Sequence, residues 1–312
     1  MRGFVGRRYA IAVAGTIAAL SAMLGGTLTA TAADEGPGIE VIGGTPPTQD
    51  YPAGAFVSLK YDAPNHGRTN WHTCGATLVF QNYIVTNAHC VTDPPATPGS
   101  AEFGTLTRRY NLDPKSAAIP AADKHFWVRA GSSNKEMGGL TATAEVVYVA
   151  EGWDWTGGND LAVLKLDHPL DLQTVPLGAG PAPVGSEAFG VGWGAVNPDG
   201  TGPLPSEIQE LRMRVLNPSS CDWLWARDIC LENPNGTDGP CFGDSGGPAL
   251  IRVGGAWRVY GSTSRFDGEW CGLHPTIYTS LPEWRTEIYN AARGLTTGAL
   301  PAPKVTLPPG VR

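Results

Sequence analysis

A serine hydroxyl attacks a carbonyl at neutral pH only with a base in hydrogen-bond reach and donors waiting for the oxyanion that forms. The segment Cys241-Phe242-Gly243-Asp244-Ser245-Gly246-Gly247-Pro248 offers such a serine. Glycines on both sides let the backbone turn tightly and aim its N–H groups at one point. Gly243 and Ser245 are therefore the candidate oxyanion donors. The base is expected to be a histidine, because imidazole titrates near neutrality. Among the histidines only His89 follows an apolar strand, in Thr86-Asn87-Ala88-His89-Cys90, whereas His66, His72 and His168 read as structural or solvated. The third member is a buried carboxylate that fixes the imidazole tautomer and stabilises its cation. Asp160 stands directly before the apolar run Leu161-Ala162-Val163-Leu164, where a carboxylate needs a partner. Asp154 and Asp167 have more polar, turn-like settings and read as surface.

These residues must be held by short elements. Runs rich in β-branched and aromatic residues recur between turn signals: 55–59, 76–80, 83–86, 125–130, 144–150, 161–166, 211–216, 248–253 and 257–262. Such spacing predicts the strands of an all-β sandwich or barrel, and the 41 glycines and 27 prolines supply the turns it needs. No strand–helix alternation is seen, so a parallel α/β fold is excluded. Residues 92–124, rich in Pro, Ala and Thr, read as a long surface loop. Residues 281–290 read as a helix, with Pro282 at its start and Trp284 and Ile288 on one face. Beyond Gly294 the chain is Pro-rich and polar, a disordered tail by composition (294–312).

The start of the chain reads as a targeting signal. Arg2, Arg7 and Arg8 form a basic region, residues 11–24 a short apolar run, and Ala30-Thr31-Ala32-Ala33 a small-residue cleavage site. The apolar run is short for a membrane span, so 1–33 is expected to be a signal peptide and the mature protein secreted, with no membrane partner. Arg7-Arg8 alone is weak support for a twin-arginine route. Residues 34–40 read as a short propeptide. The charges before residue 41 cancel, so the mature segment keeps the net charge of −7. That balance argues against a nucleic-acid partner. Six cysteines in an exported chain read as three disulfides, with 15 pairings open to them. No C-x2-C pair points to zinc, and no metal or organic cofactor is expected.

Together these segments resemble the chymotrypsin/trypsin family of serine peptidases. The order His, Asp, Ser matches, as do Val41-Ile42-Gly43-Gly44, Gly192-Trp193-Gly194, Ser264 and the C-terminal helix, so that the resemblance spans 41–293. It implies two six-stranded antiparallel β-barrels with the site between them, and a serine endopeptidase acting on proteins or peptides through an acyl-enzyme, as a monomer. It implies the disulfides Cys74–Cys90, Cys221–Cys230 and Cys241–Cys271, and a hydrogen bond from Ser264 to the triad aspartate. It also implies that a new α-amino group at Val41 pairs with Asp244 and orders the oxyanion hole. Two departures stand out. Residue 40 is Glu and 34–40 hold no Lys or Arg, so the activating protease must cut after Glu40 and cannot be trypsin-like. The position that carries aspartate in trypsin-like members is Gly239, and the pocket walls are Ser264, Phe266 and Thr276. A strong preference for Arg or Lys is not expected, and small or medium apolar residues fit better. Arg265 keeps open an alternative preference for acidic residues. The stretch between His89 and Asp160 is longer than the family usually has, which is read as a loop insertion or a rim restricting large substrates.

Two other function classes are weighed. A catalytically dead binding protein usually lacks a triad member, and none is missing here. An esterase fits the formal G-x-S-x-G of 243–247, but the α/β-hydrolase order is Ser, acid, His, and Pro248 disfavours the helix that must follow.

Overall fold

A computed structural model of the chain describes residues 42–266, 268, 270–295 and 305–306. The expected signal peptide (1–33), propeptide (34–40), Val41 and most of the tail lie outside the described residues. Of the tail, Val305–Thr306 pairs with the edge of one sheet.

Two antiparallel β-barrels make up the described chain. The first is formed by β1 (Val57–Ala63), β2 (Arg68–Phe80), β3 (Tyr83–Thr86), β4 (His125–Ala130), β5 (Leu140–Val149) and β6 (Ala162–Leu166). Its strands run in the order β5-β4-β1-β2-β3-β6, and β5 also pairs with β6, which closes the ring. The second comprises β7 (Glu187–Gly192), β8 (Gln209–Arg214), β9 (Asp228–Leu231), β10 (Pro248–Val253), β11 (Ala256–Phe266) and β12 (Thr276–Ser280), in the order β8-β7-β10-β11-β12-β9. Its edge strands meet at a single bridge between Val215 and Leu231.

Alternation of side chains across each strand gives every barrel its own core. Leu59, Ile84, Val128 and Leu164 fill the first, and Met213, Leu231, Ile251 and Tyr278 the second. A third cluster, including Val85, Val163, Val191, Trp193, Leu250 and Val259, joins strands of both. The expected C-terminal helix is present as a 3-10 turn at Pro282–Trp284 leading into α3 (Arg285–Ala292). Trp284 and Ile288 are buried in the joining cluster, each contributing about 1.5–3 kcal/mol by burial. The helix thereby clamps the C-terminal end onto the seam. Three disulfides, Cys74–Cys90, Cys221–Cys230 and Cys241–Cys271, are the pairs the resemblance implies.

Residues 92–124 depart from the expected open surface loop. They hold α1 (Ala101–Arg109), capped by the Ser100 hydroxyl, and α2 (Pro114–Ala117), capped by the Asp113 carboxylate. Phe103, Tyr110, Leu112 and Ala117 of this segment bury against Trp155. An apolar cluster of its own, rather than a solvated loop, is what these side chains form.

Candidate active site

Strand β3 ends at Thr86, and the turn that follows delivers His89 to the seam between the barrels. The Cys74–Cys90 bond ties that turn to β2. Asp160 precedes β6, the strand paired with β3. Adjacent strand ends thus bring the two residues together. The Asp160 carboxylate is fully buried and accepts hydrogen bonds on both oxygens. Oδ2 lies 2.7 Å from His89 Nδ1 and 2.6 Å from Ser264 Oγ, and Oδ1 accepts from the His89 backbone N–H at 3.0 Å. Asn87 Nδ2 adds a further donor at 3.0 Å. Burial alone would raise the Asp160 carboxyl, but the charge and hydrogen bonds of His89 together with Ser264 outweigh it and hold the group below its ordinary value. An ionised Asp160 accepts only, so Nδ1 carries a proton. Nε2 is buried and has no hydrogen-bond partner among the described residues.

Ser264 reaches Asp160 because of an irregularity. The β11–β12 register shifts between Thr263 and Arg265, leaving Ser264 as the extra residue. A bulge of this kind re-aims a side chain. The neighbouring Arg265 is buried, and its guanidinium donates to Asp228 Oδ2 at 2.5 Å, to the Trp223 carbonyl at 2.9 Å and to Ser264 Oγ at 3.2 Å. This cation is thus paired with a carboxylate of its own chain.

The 241–247 segment turns sharply before β10. Gly243 has φ +101° and Gly246 φ +79°. A Cβ on Gly246 would stand 2.1 Å from Thr86 Oγ1 and 2.3 Å from the Gly75 carbonyl oxygen, so only glycine lets this turn dock on the first barrel. The Gly75 N–H donates to the Ser245 carbonyl at 2.7 Å. Among the described residues the N–H groups of Gly243 and Ser245 have no acceptor. His72, buried between the barrels, holds the Gly243 carbonyl at 3.0 Å through Nε2 and lies 2.7 Å from Ser58 Oγ through Nδ1. The carbonyl can only accept, so Nε2 carries the proton. Burial, together with the nearby Lys135, pushes His72 down to about 3, and it stays neutral.

Asp244 turns away from Ser245 into a pocket walled by Gly192 and Gly194. A Cβ on either glycine would stand 2.0 Å from its carboxylate oxygens. Two backbone N–H groups serve it, from Gly194 at 2.8 Å and Cys241 at 2.9 Å. Burial nevertheless pushes Asp244 up to about 6. Ile42 is buried and bridges Gly239, whose N–H donates to the Ile42 carbonyl at 3.1 Å. The chain just after Val41 is therefore stitched beside the 239–244 segment.

Gly239, Phe266 and Thr276 are all buried, and Phe266 pairs with Thr276 across β11 and β12. Beside Phe266 and Arg265 a space of only about 10 Å³ remains. Asp238 does not reach this region; its carboxylate is taken up by Asn235 at 2.6 Å and Thr237 at 3.0 Å. Cys74, His89 and Cys90 lie close enough to hold an ion, but the two sulfurs are bonded to each other and offer no thiolate.

Residues unnoticed in the sequence also meet here. The Ser245 hydroxyl donates to the Tyr110 carbonyl at 3.0 Å, and the Tyr110 ring lies 5.2 Å from the His89 ring. The helix caps Ser100 and Asp113 and the aromatic pair Trp153 and Trp155 are the signals that could have marked this segment as ordered. Nothing local in the sequence ties Tyr110 to Ser245, which lies in the other barrel's half.

Comparison with known proteins gives the same family over most of the chain. The sequence model of the trypsin family matches residues 42–286. Chymotrypsin-C of Bos taurus is 28% identical over 242 residues, covering 72% of this chain and 79% of the relative. Chymotrypsin-C of Rattus norvegicus is 25% identical over 253 residues, covering 75% and 80%, and that of Mus musculus 26% identical over 244 residues, covering 72% and 79%.

Proposed function

The chain belongs to the trypsin family and is a serine-type endopeptidase, and from that premise we propose that Ser245 is its nucleophile, His89 the general base and Asp160 the group that orients it. The observation that carries this assignment is the buried Asp160–His89 pair at 2.7 Å, which leaves His89 Nε2 without a hydrogen-bond partner among the described residues. In the reaction Nε2 takes the Ser245 proton as Oγ bonds to the substrate carbonyl carbon. The carbonyl oxygen becomes an oxyanion between the Gly243 and Ser245 N–H groups. His89 then gives the proton to the leaving amine, and water repeats the sequence to release the acid.

The finer reading follows from the same residues. Gly239, Phe266 and Thr276 bring no carboxylate to the substrate pocket, so we assign a preference for small or medium apolar side chains over Arg and Lys. Asp244 is the acceptor for the α-amino group of Val41 released by cleavage after Glu40. The three disulfides agree with secretion to an oxidising compartment. The assignment is tested by treating the mature protein with a fluorophosphonate and locating the adduct. An adduct on Ser245 that is lost in Ser245→Ala is expected; an adduct elsewhere overturns it.

A further inference from the structure

The residues assigned to catalysis are inaccessible. Ser245 is 0% exposed and His89 1%. What covers them is the turn between α1 and α2. Tyr110 and Asn111 there are also 0% exposed. The Tyr110 carbonyl takes the hydrogen bond of the Ser245 hydroxyl at 3.0 Å, while His89 Nε2, the atom that should receive it, has none. The Tyr110 ring covers the imidazole at 5.2 Å and packs edge-on against Trp153 and Trp155. Its hydroxyl donates to the Trp155 carbonyl at 3.0 Å. Asn111, in the left-handed region at φ +52°, reaches the second barrel, with Oδ1 3.6 Å from the Cys271 sulfur. Arg109 lies over the Trp223 ring at 5.4 Å. The segment thus crosses from the 153–155 loop to the walls of the substrate pocket. On one side of Gly243 a cleft of about 690 Å³ stays open, lined by Trp71, Gly104 and Arg108 among others. On the other side a small cavity of about 10 Å³ lies between Arg109 of this segment and Phe266.

We infer that the Tyr110–Asn111 turn is a built-in competitive inhibitor. It lies in the place of the substrate residues that precede the scissile bond, and hydrolysis requires the 101–117 segment to swing out. This inference rests on the assignment of Ser245 and His89 made above. The closed arrangement has a seam at which to open. The segment has an apolar cluster of its own, distinct from the two barrel cores, and is tied down at its end by Tyr61 Oη of the first barrel to Ser116 Oγ at 2.9 Å and by the Asp93 carboxylate, which accepts from the Ala121 N–H at 2.7 Å. A folded enzyme with the segment withdrawn therefore keeps both barrels and all three disulfides.

The test compares mature wild type with Tyr110→Ala and Asn111→Pro. The first removes the ring from His89. The second cannot adopt φ +52° and disfavours the ψ of +15° at Tyr110 before it, since a residue preceding proline is pushed to extended ψ. The reading is the rate of fluorophosphonate labelling at Ser245, with Ser245→Ala as blank. Both variants are expected to label at least ten-fold faster than wild type. Equal rates in all three overturn the inhibitor while leaving the assignment of Ser245 standing. Absence of label from every folded form overturns the assignment, and the inhibitor with it. Should these variants fail to fold, Asp113→Ala, which removes the cap of α2 and leaves both barrels untouched, is read in their place. Labelling faster than wild type is expected of it, and labelling no faster overturns the gate.

Discussion

Arg265 places a guanidinium at 2% side-chain exposure opposite Asp228 at 1%. Burial pushes the Asp228 carboxyl up and Arg265 pulls it back. Removing one partner of such a pair strands the other charge, which costs about 3–5 kcal/mol, whereas removing both is close to neutral. Arg265→Leu is therefore expected to lower the thermal midpoint sharply, and Arg265→Leu with Asp228→Leu to recover most of the loss; a double variant no better than the single would refute the pairing argument. Asp160→Asn acts differently. The amide fills the same space but no longer selects Nδ1–H, so the His89 lone pair turns to the wrong nitrogen. A fall in kcat of about 10⁴ with unchanged KM is expected, measured in steady state against a peptide ester. At this scale the sequence was highly legible. Ser245, His89 and Asp160 stand out because neighbouring residues impose their settings, a glycine turn, a disulfide turn and an apolar strand. The Arg265–Asp228 pair is not legible in the sequence because the two lie 37 positions apart, and only the pairing of β11, β12 and β9 brings them together.

Elements are legible where a short apolar run is bounded by turn residues, whether burial alternates, as along β4, or is continuous, as in β3 and the first four residues of β10. β3, β4 and β10 have the predicted ends. β7 was missed because Gly190 and Gly192 thin its apolar signal, although the close approach of Asp244 to Gly192 is what demands glycine there. β9 is four residues long and β12 mixes Thr and Ser, so neither shows a period. The 101–117 helices hid behind Gly104, Thr105 and Thr107, which are poor helix formers. Their caps were the surviving signal. Asp113 accepts from the N–H groups of Lys115 and Ser116 at 3.1 and 3.3 Å, and losing such a cap costs about 1 kcal/mol. Because the segment lies outside the barrel cores, Asp113→Ala should weaken its closure before it weakens the fold. Fluorophosphonate labelling is expected to quicken by up to about five-fold with the thermal midpoint nearly unchanged; slower labelling would contradict this.

At the scale of the whole molecule the beginning of the mature chain is coupled to its active site. Asp244 is buried with only N–H donors among the described residues, and burial pushes it up to about 6 from 3.8. In a precursor that retains Glu40 the native carboxyl keeps its proton to higher pH than the unfolded one. Native protein then binds more protons between about pH 4 and 6, so its stability falls as pH rises through that window, by about 3 kcal/mol at full ionisation. His72 has the opposite sign. Pushed down to about 3, it loses stability for the fold as pH falls below about 6.5. Both forms share His72, so its effect cancels in their difference. On the activation proposed above, cleavage before Val41 brings an ammonium to Asp244, which would draw the carboxyl down and the amine up. That added stability is present below about pH 8, the ordinary range of an α-amine, and is lost as pH climbs through its raised native value. Urea unfolding of the Val41 form and of a form beginning at Asp34, at pH 4.5 and 7.5, measures the difference. The Val41 form is expected to be the more stable at both, by about 1 kcal/mol at pH 4.5 and by about 2–3 kcal/mol at pH 7.5. Equal stabilities at both pH values would show that Asp244 has another cation, and would separate activation from the new N-terminus altogether.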